Sequence, residues 1–229
     1  MKTSAPFARP PGRLIAAAVA LGLTVAVALP PLAFAGPGDR VIAVPEVPPD
    51  LEVPEGNKVY LEGHAVGTQN YICMACPNAI TPAEKCPATG FAWAFLGPQA
   101  TLFDPNEGNG DSHQIITHFN SPNPEEAGQE RPTWQDSRDT STVWGNNTFP
   151  PAKSATVQQD AIPWLLLPMK STEPGPRGPG RLTDTTFIQR LNTDGGVAPE
   201  ASTCSVPLDA GKKALVPYSA DYFFYKKAH

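Results

Sequence analysis

The 229-residue sequence predicts an all-β protein, an antiparallel β-sandwich or barrel-like single domain with long loops and disulfides. Three observations carry that expectation. The chain holds 28 Pro and 19 Gly while only 17% of its residues are charged, a balance that suits many turns and few helices. From Lys58 onward, short apolar runs alternate with clusters of Gly, Pro, Asn and Asp, and no long window keeps a 3.6-residue period without a breaker. Cys73, Cys76, Cys86 and Cys204 stand in a chain whose start reads as an export signal, the setting in which cross-linked strands are common. With 41% apolar residues the chain is not a disordered one.

The elements follow in order. Residues 1–35 place Lys2, Arg9 and Arg13 ahead of "LIAAAVALGLTVAVAL" and close on Ala33-Phe34-Ala35, the pattern of a cleavable signal peptide. The apolar run falls short of the roughly 20 residues that span a bilayer core, so no stable membrane anchor is expected after signal cleavage. No twin arginine precedes it and no cysteine follows the cleavage site, which leaves the general export route and a secreted protein, extracellular or periplasmic. Residues 36–57 carry Pro45, Pro48, Pro49 and Pro54, which forbid a helix and predict a Pro-rich extended arm lying over the domain or leading away from it. Residues 58–229 are then a single β-rich domain.

Within it, strands are expected at 58–66, 68–74, 100–103, 113–119, 141–145, 185–191 and 216–226. "FAWAFL" is a further strand, with Phe91, Trp93 and Phe95 on the core face and Ala92 and Ala94 on the other. "IPWLLLPM" is apolar on both faces, as for a strand covered on both sides, with Pro163 and Pro168 at its ends. The stretches around Phe103–Phe119 and Trp134–Gly145 read as hairpins, and 170–181 as an exposed loop.

Four cysteines allow three connectivities. The expected one joins Cys73 to Cys204 and Cys76 to Cys86, contributing about 5 and about 3 kcal/mol on the loop-entropy model. "CMAC" has the spacing of a thiol-disulfide motif, but no helix pattern follows it to lower a thiolate pKa. A four-thiolate zinc site lacks its second close pair, and covalent haem would need a histidine where Pro77 stands. Neither a metal nor a cofactor is expected.

His113 and His118 are five apart, which puts them on opposite faces of a strand and makes them a poor chelating pair. Asp104, Asn106, Glu107, Asn109 and Asp111 supply many oxygens, yet the EF-hand glycine position is Asn109 and its glutamate position is Ile115. A polar hairpin turn explains them better. His118, opposite in phase to Ile115, Thr117 and Phe119, is expected to point away from the main core or into a cleft. Asp136 and Asp139, just beyond Trp134, are the candidate carboxylates to orient it. Trp134, in the polar stretch "RPTWQDSRD", is expected to be partly exposed, and His118, Trp134 and Asp139 are the candidate binding residues. Trp93, Trp144, Trp164, Tyr218, Tyr222 and Tyr225 are further rings able to stack on a ligand, with core packing the default for Trp93 and Trp164. "NNT" makes Asn146 a formal glycosylation acceptor.

No G-x-S-x-G elbow, H-E-x-x-H, P-loop or dinucleotide fingerprint is present. The formal charge of −5, with three of the bases inside the leader, repels a phosphate backbone, so nucleic acid is not an expected partner. The first functional reading is a secreted binding, surface or structural protein whose partner is a small molecule, a glycan or a protein. An extracellular hydrolase-like enzyme using His118 and Asp139 comes second, and a thiol-disulfide oxidoreductase at Cys73 and Cys76 third.

"VPEGN", "GTQNYIC", "FAWAFLGPQATLFD", "THF", "PTW", "IPWLLLP", "FIQRLNTDGGVAP", Cys204 and "VPYSADYFFY", in this order, resemble the domain-of-unknown-function 3455 family, exported proteins of bacteria and fungi. The resemblance spans roughly residues 48–229 and implies no established activity. A malate dehydrogenase label that some members carry finds no support in a chain without the dinucleotide fingerprint. The family's tyrosine-x-cysteine motif matches Tyr71 and Cys73, its later cysteine Cys204, and its histidine and tryptophan His118 and Trp134, which implies the long-range disulfide. This chain departs from the pattern by an insertion between His118 and Trp134, and by Asp139-Thr140-Ser141 where the family has an aspartate-glycine-serine turn. Cys76 and Cys86 belong to a second local insertion, as an extra staple would.

Overall fold

Residues 57–75 form one strand, β1 (Asn57–Ala75), where two were expected on either side of Gly67. The glycine serves close approach instead of a break: a Cβ there would stand 2.2 Å from the Gln99 carbonyl oxygen and 2.6 Å from the Ala100 Cβ of the neighbouring strand. The structure, a computed structural model, describes residues 41–105, 113–146 and 152–228. The expected signal peptide at 1–35 and the turn residues Asn106, Glu107, Asn109 and Asp111 lie outside the described residues.

After β1 come β2 (Phe91–Phe103), β3 (Gln114–Asn123), β4 (Gln129–Asp136), β5 (Thr142–Gly145), β6 (Lys153–Ala155), β7 (Trp164–Glu173), β8 (Thr185–Gly195) and β9 (Lys213–Lys227). All neighbours pair antiparallel in the order β5-β4-β3-β2-β1-β9-β8-β7-β6. A further pairing of β5 with β7 closes eight strands into an antiparallel barrel, with β6 attached outside the closure to the start of β7. Closure removes the unpaired edges that an open sheet of this size would present to other chains. The two expected hairpins are β2/β3 and β4/β5. The first half of β4 and the whole of β6 were not expected, because Glu130, Arg131 and Pro132 do not read as a strand and β6 has only three residues.

Period-two alternation on the long strands sorts the apolar residues into two cores. Ala65, Leu102, Ile116, Val143, Leu167, Ile188, Ala220 and Phe224 meet inside the barrel. Trp164, Leu166, Leu191, Phe223 and Tyr225 face outward, and residues 42–53 lie across them, with Leu51 fully buried and Ile42, Val44, Val47 and Val53 packed alongside. Gln189 fastens this arm by donating Nε2–H to the Leu51 carbonyl at 2.7 Å. β7 is thus apolar on both faces because it is covered on both, by the barrel interior and by the arm. Pro163 precedes its start, but Pro168 lies within it. The strand tolerates a residue without an N–H there because its pairing with β8 runs over Leu165–Pro168 and its pairing with β5 over Met169–Glu173.

On β2 the expected orientation needs correction. Ala94 is buried, while Trp93 is half-buried and Phe95 is 41% exposed. The register shifts at Asn70/Tyr71, pairing Phe95 with Tyr71 and Gly97 with Asn70, so Leu96 is the extra residue of a bulge. This half of β2 overhangs the core and forms part of one rim of the barrel. Beside that rim Cys73 is bonded to Cys204, across 131 residues of sequence, and Cys76 to Cys86.

At the other end the loop between β7 and β8 crosses the barrel and inserts Leu182, fully buried, as a floor. Asp139 holds that loop, accepting the Arg181 N–H at 2.7 Å and the Ser141 N–H at 2.8 Å. Gly175 passes so close that a Cβ on it would stand 1.8 Å from the Asp139 carbonyl oxygen.

Candidate functional site

The barrel interior is packed with aliphatic side chains near the floor and opens above them into a cavity of about 400 Å³. Seven of the closing strands line it. Gln69 comes from β1, Phe95 and Pro98 from β2, His118 and Asn120 from β3, Pro132 and Trp134 from β4, Leu165 and Leu167 from β7, Arg190 from β8 and Tyr222 from β9, with Ala152 completing the wall. An eight-stranded barrel is just wide enough for its own side chains or one small ligand, and here side chains fill the floor end and leave a cavity above them.

His118 and Trp134 sit opposite each other in the β3/β4 register. Their rings stack with centroids 4.1 Å apart and 9° between planes, and Tyr222 meets both edge-on at 5.3 and 5.8 Å. The insertion between the two residues does not separate them, because it extends β3 and β4 into a longer hairpin. At its tip Asn123 caps a short 3-10 turn, and Arg131 donates to both Glu126 oxygens at 2.8 Å. His118 is 3% exposed, on the interior face with Ile116, so it turns into the cavity and not away from the core.

Nδ1 of His118 lies 2.8 Å from the Thr133 carbonyl, which can only accept; the hydrogen is therefore on Nδ1 and Nε2 is the acceptor of the neutral ring. Burial lowers its pKa to about 3, and the charge of Arg190 acts the same way, while the bond to Thr133 opposes them. Burial likewise raises the Tyr222 and Tyr218 hydroxyls, which face each other at 3.3 Å, so both stay protonated. Arg190 donates Nε–H and Nη2–H to the Pro163 carbonyl, at 3.3 and 2.8 Å. Three buried polar atoms of the lining residues have no hydrogen-bond partner of regular geometry: Gln69 Nε2, Trp134 Nε1 and Asn120 Oδ1.

Trp134 is 1% exposed, against the expectation of partial exposure. Its polar neighbours misled because they are buried and paired themselves: Arg131 with Glu126, Thr133 with Ser121, and Asp136 with the backbone of its own turn. Asp139 does not join the site. β4 runs from the cavity end at Gln129 to the floor end at Asp136, so the turn that follows carries Asp139 to the far side of the barrel. Hydrogen bonds to Ser141 and the Arg181 backbone hold its pKa below the usual carboxylate range even though burial raises it. Asp136 is also at that end, with Arg181 Nη1 at 3.6 Å from Oδ2, an ion pair too long for a hydrogen bond. His118 therefore has a carbonyl partner where a hydrolase dyad needs a carboxylate. Cys73 and Cys76 are each bonded elsewhere, so their motif holds no dithiol.

The other rings are distributed by their surroundings. Trp164 and Tyr225 lie under the arm, Trp144 donates to Ser121 at 3.0 Å, and Trp93 donates to Thr203 at 3.1 Å. Asn146 is 5% exposed, a poor acceptor for a glycan. Gln69 and Arg190 were missed as site residues, whereas Tyr222 was among the rings expected to be able to stack on a ligand. The available signal was phase: Arg190 follows Ile188, and Gln69 follows Ala65 and Gly67, on the interior face of a strand, where a polar residue needs a reason.

No group of His, Cys, Asp or Glu among the described residues could hold a metal ion, and no described helix is long and apolar enough to cross a membrane. No curated protein and no solved structure matches the chain. The family model of DUF3455, proteins of unknown function, matches residues 54–226 and so takes in the whole barrel from β1 to β9, and the chain belongs to that family.

Proposed function

We propose that the protein is a secreted binding protein that holds a small organic molecule in the barrel cavity beside the His118-Trp134 stack. The observation that carries this is the combination of a roughly 400 Å³ cavity with aromatic walls and three lining polar atoms without a hydrogen-bond partner of regular geometry, of which Gln69 reaches toward the Tyr218 hydroxyl. A buried polar group without a partner costs about 1–3 kcal/mol, so the fold gains by hosting a molecule that supplies the partners. Rings that stack on flat surfaces and a few converging polar groups are the usual furniture of such sites. Export is supported by the leader-like first 35 residues and by four cysteines that are all engaged in disulfides.

The test is a thermal-shift and tryptophan-fluorescence screen of the mature chain against small amphipathic molecules. Binders raise the melting temperature and quench Trp134, and Leu165→Trp, which fills the cavity, abolishes both effects. A screen without binders, or binding that survives Leu165→Trp, overturns the reading. For export, N-terminal sequencing of protein recovered outside the cytosol is expected to begin at Gly36.

A further inference from the structure

Among the described residues one charged side chain lines the cavity, and it is a cation. Arg190 stands among Gln69, His118, Trp134, Tyr222 and Leu165, with no Asp or Glu in the described wall. Arg131 and Arg181 face Glu126 and Asp136, whereas no described carboxylate forms an ion pair with Arg190. The Pro163 carbonyl takes two of its five N–H donors and so fixes the plane of the guanidinium fork, beside the Tyr222 hydroxyl. Arg190 is only partly buried, and its remaining N–H donors can meet a carboxylate through two parallel hydrogen bonds, which a charged acceptor makes stronger than a neutral one does.

We infer that the cavity selects an organic monoanion, a carboxylate on an aromatic or alicyclic body, with its charged end on Arg190 and its ring against Trp134 and Tyr222. This rests on the proposed binding role of the cavity. A single fixed positive charge matches a single negative one; a dianion would leave one charge buried and uncompensated. The histidine adds no second positive charge, since its ring is neutral under ordinary conditions. A cationic ligand would meet Arg190 with no acid to receive it.

Three probes with one body and different heads test this: 2-naphthoate, 2-naphthamide and 2-naphthylmethylamine, titrated into the mature chain by calorimetry near neutral pH. The naphthoate is expected to bind at least about tenfold more tightly than the amide, with the amine weakest. Arg190→Gln is expected to remove the advantage of the naphthoate over the amide, and Leu165→Trp to abolish binding of all three. Should Arg190→Gln fail to fold by circular dichroism, the comparison of the three probes on the wild-type chain decides alone. Equal affinity for naphthoate and naphthamide overturns the anion assignment and leaves the cavity reading standing. Binding of none of the three overturns both.

Discussion

His118 is a histidine that the fold keeps neutral, and this reverses the usual sign of its effect on stability. Its pKa falls from 6.5 in the unfolded chain to about 3 in the barrel, so between those values the unfolded state binds the extra proton. Stability is therefore complete above pH 6.5 and declines as the pH drops toward 3, by at most about 1.4 kcal/mol per pH unit. His118→Gln is expected to flatten the decline between pH 6.5 and 4.5, read from urea unfolding at both values; an unchanged slope would show that the proton is taken up elsewhere. His118 and Trp134 were legible as a pair because both belong to family motifs. Arg190 and Gln69 were not, since only the closed barrel shows that their strand faces turn inward. Asp139 was legible as a residue with a task, but the task is structural: it receives two backbone N–H groups and anchors the loop that carries Leu182. Asp139→Ala is expected to cost about 2 kcal/mol in urea unfolding and to leave probe binding in the cavity intact. Thr140, next to it, has φ 59°, the left-handed conformation for which the family's glycine is suited.

Among the elements, the β3/β4 hairpin shows how an insertion can lengthen a sheet without disturbing what lies below it. Eight register pairs run from Ile116/Asp136 to Asn123/Gln129, so the added residues are absorbed beyond the His118/Trp134 pair. Glu126 ties the tip to β7 through Lys170 at 3.4 Å, and Ser171 donates to Asn123 at 2.9 Å. Hydrogen bonds from Arg131, then from Asn123 and Lys170, hold the Glu126 pKa at about 2, and Lys212 does the same for Asp209. Because these pKa values are depressed, the stability they contribute is present above about pH 4.5 and is lost as the pH falls toward 2. Glu126→Gln is expected to make the acid unfolding curve shallower in that window, monitored by near-ultraviolet circular dichroism. The Cys73-Cys204 bond closes the longer of the two disulfide loops, its partners separated by 131 positions, and replacing both with serine is expected to cost about 3–5 kcal/mol in chemical denaturation.

For the whole molecule, strand phase and turn chemistry were enough to give an all-β antiparallel fold, and the double apolar face of β7 was visible in "PWLLLP". The choice between an open sandwich and a closed barrel was left open. Closure depends on β5, four residues long, reaching β7 across nearly thirty positions of sequence, a long-range pairing that no local pattern encodes. The role of the arm was equally hidden, because prolines announce extension but not the surface on which an extended segment lies. Leu51→Ala is expected to lower stability by about 2–4 kcal/mol, measured by urea unfolding, since it empties a buried position among Trp164, Phe223 and Tyr225.

The floor has a consequence for exchange. With Leu182 stoppering one end, the interior is a dead-end well and not a conduit, and any guest must leave by the doorway through which it came. Among the described residues the other end is the rim to which Phe95 belongs, so the same few side chains there would set both how fast a guest held as proposed enters and how long it stays, and the contacts inside would set how tightly it is held.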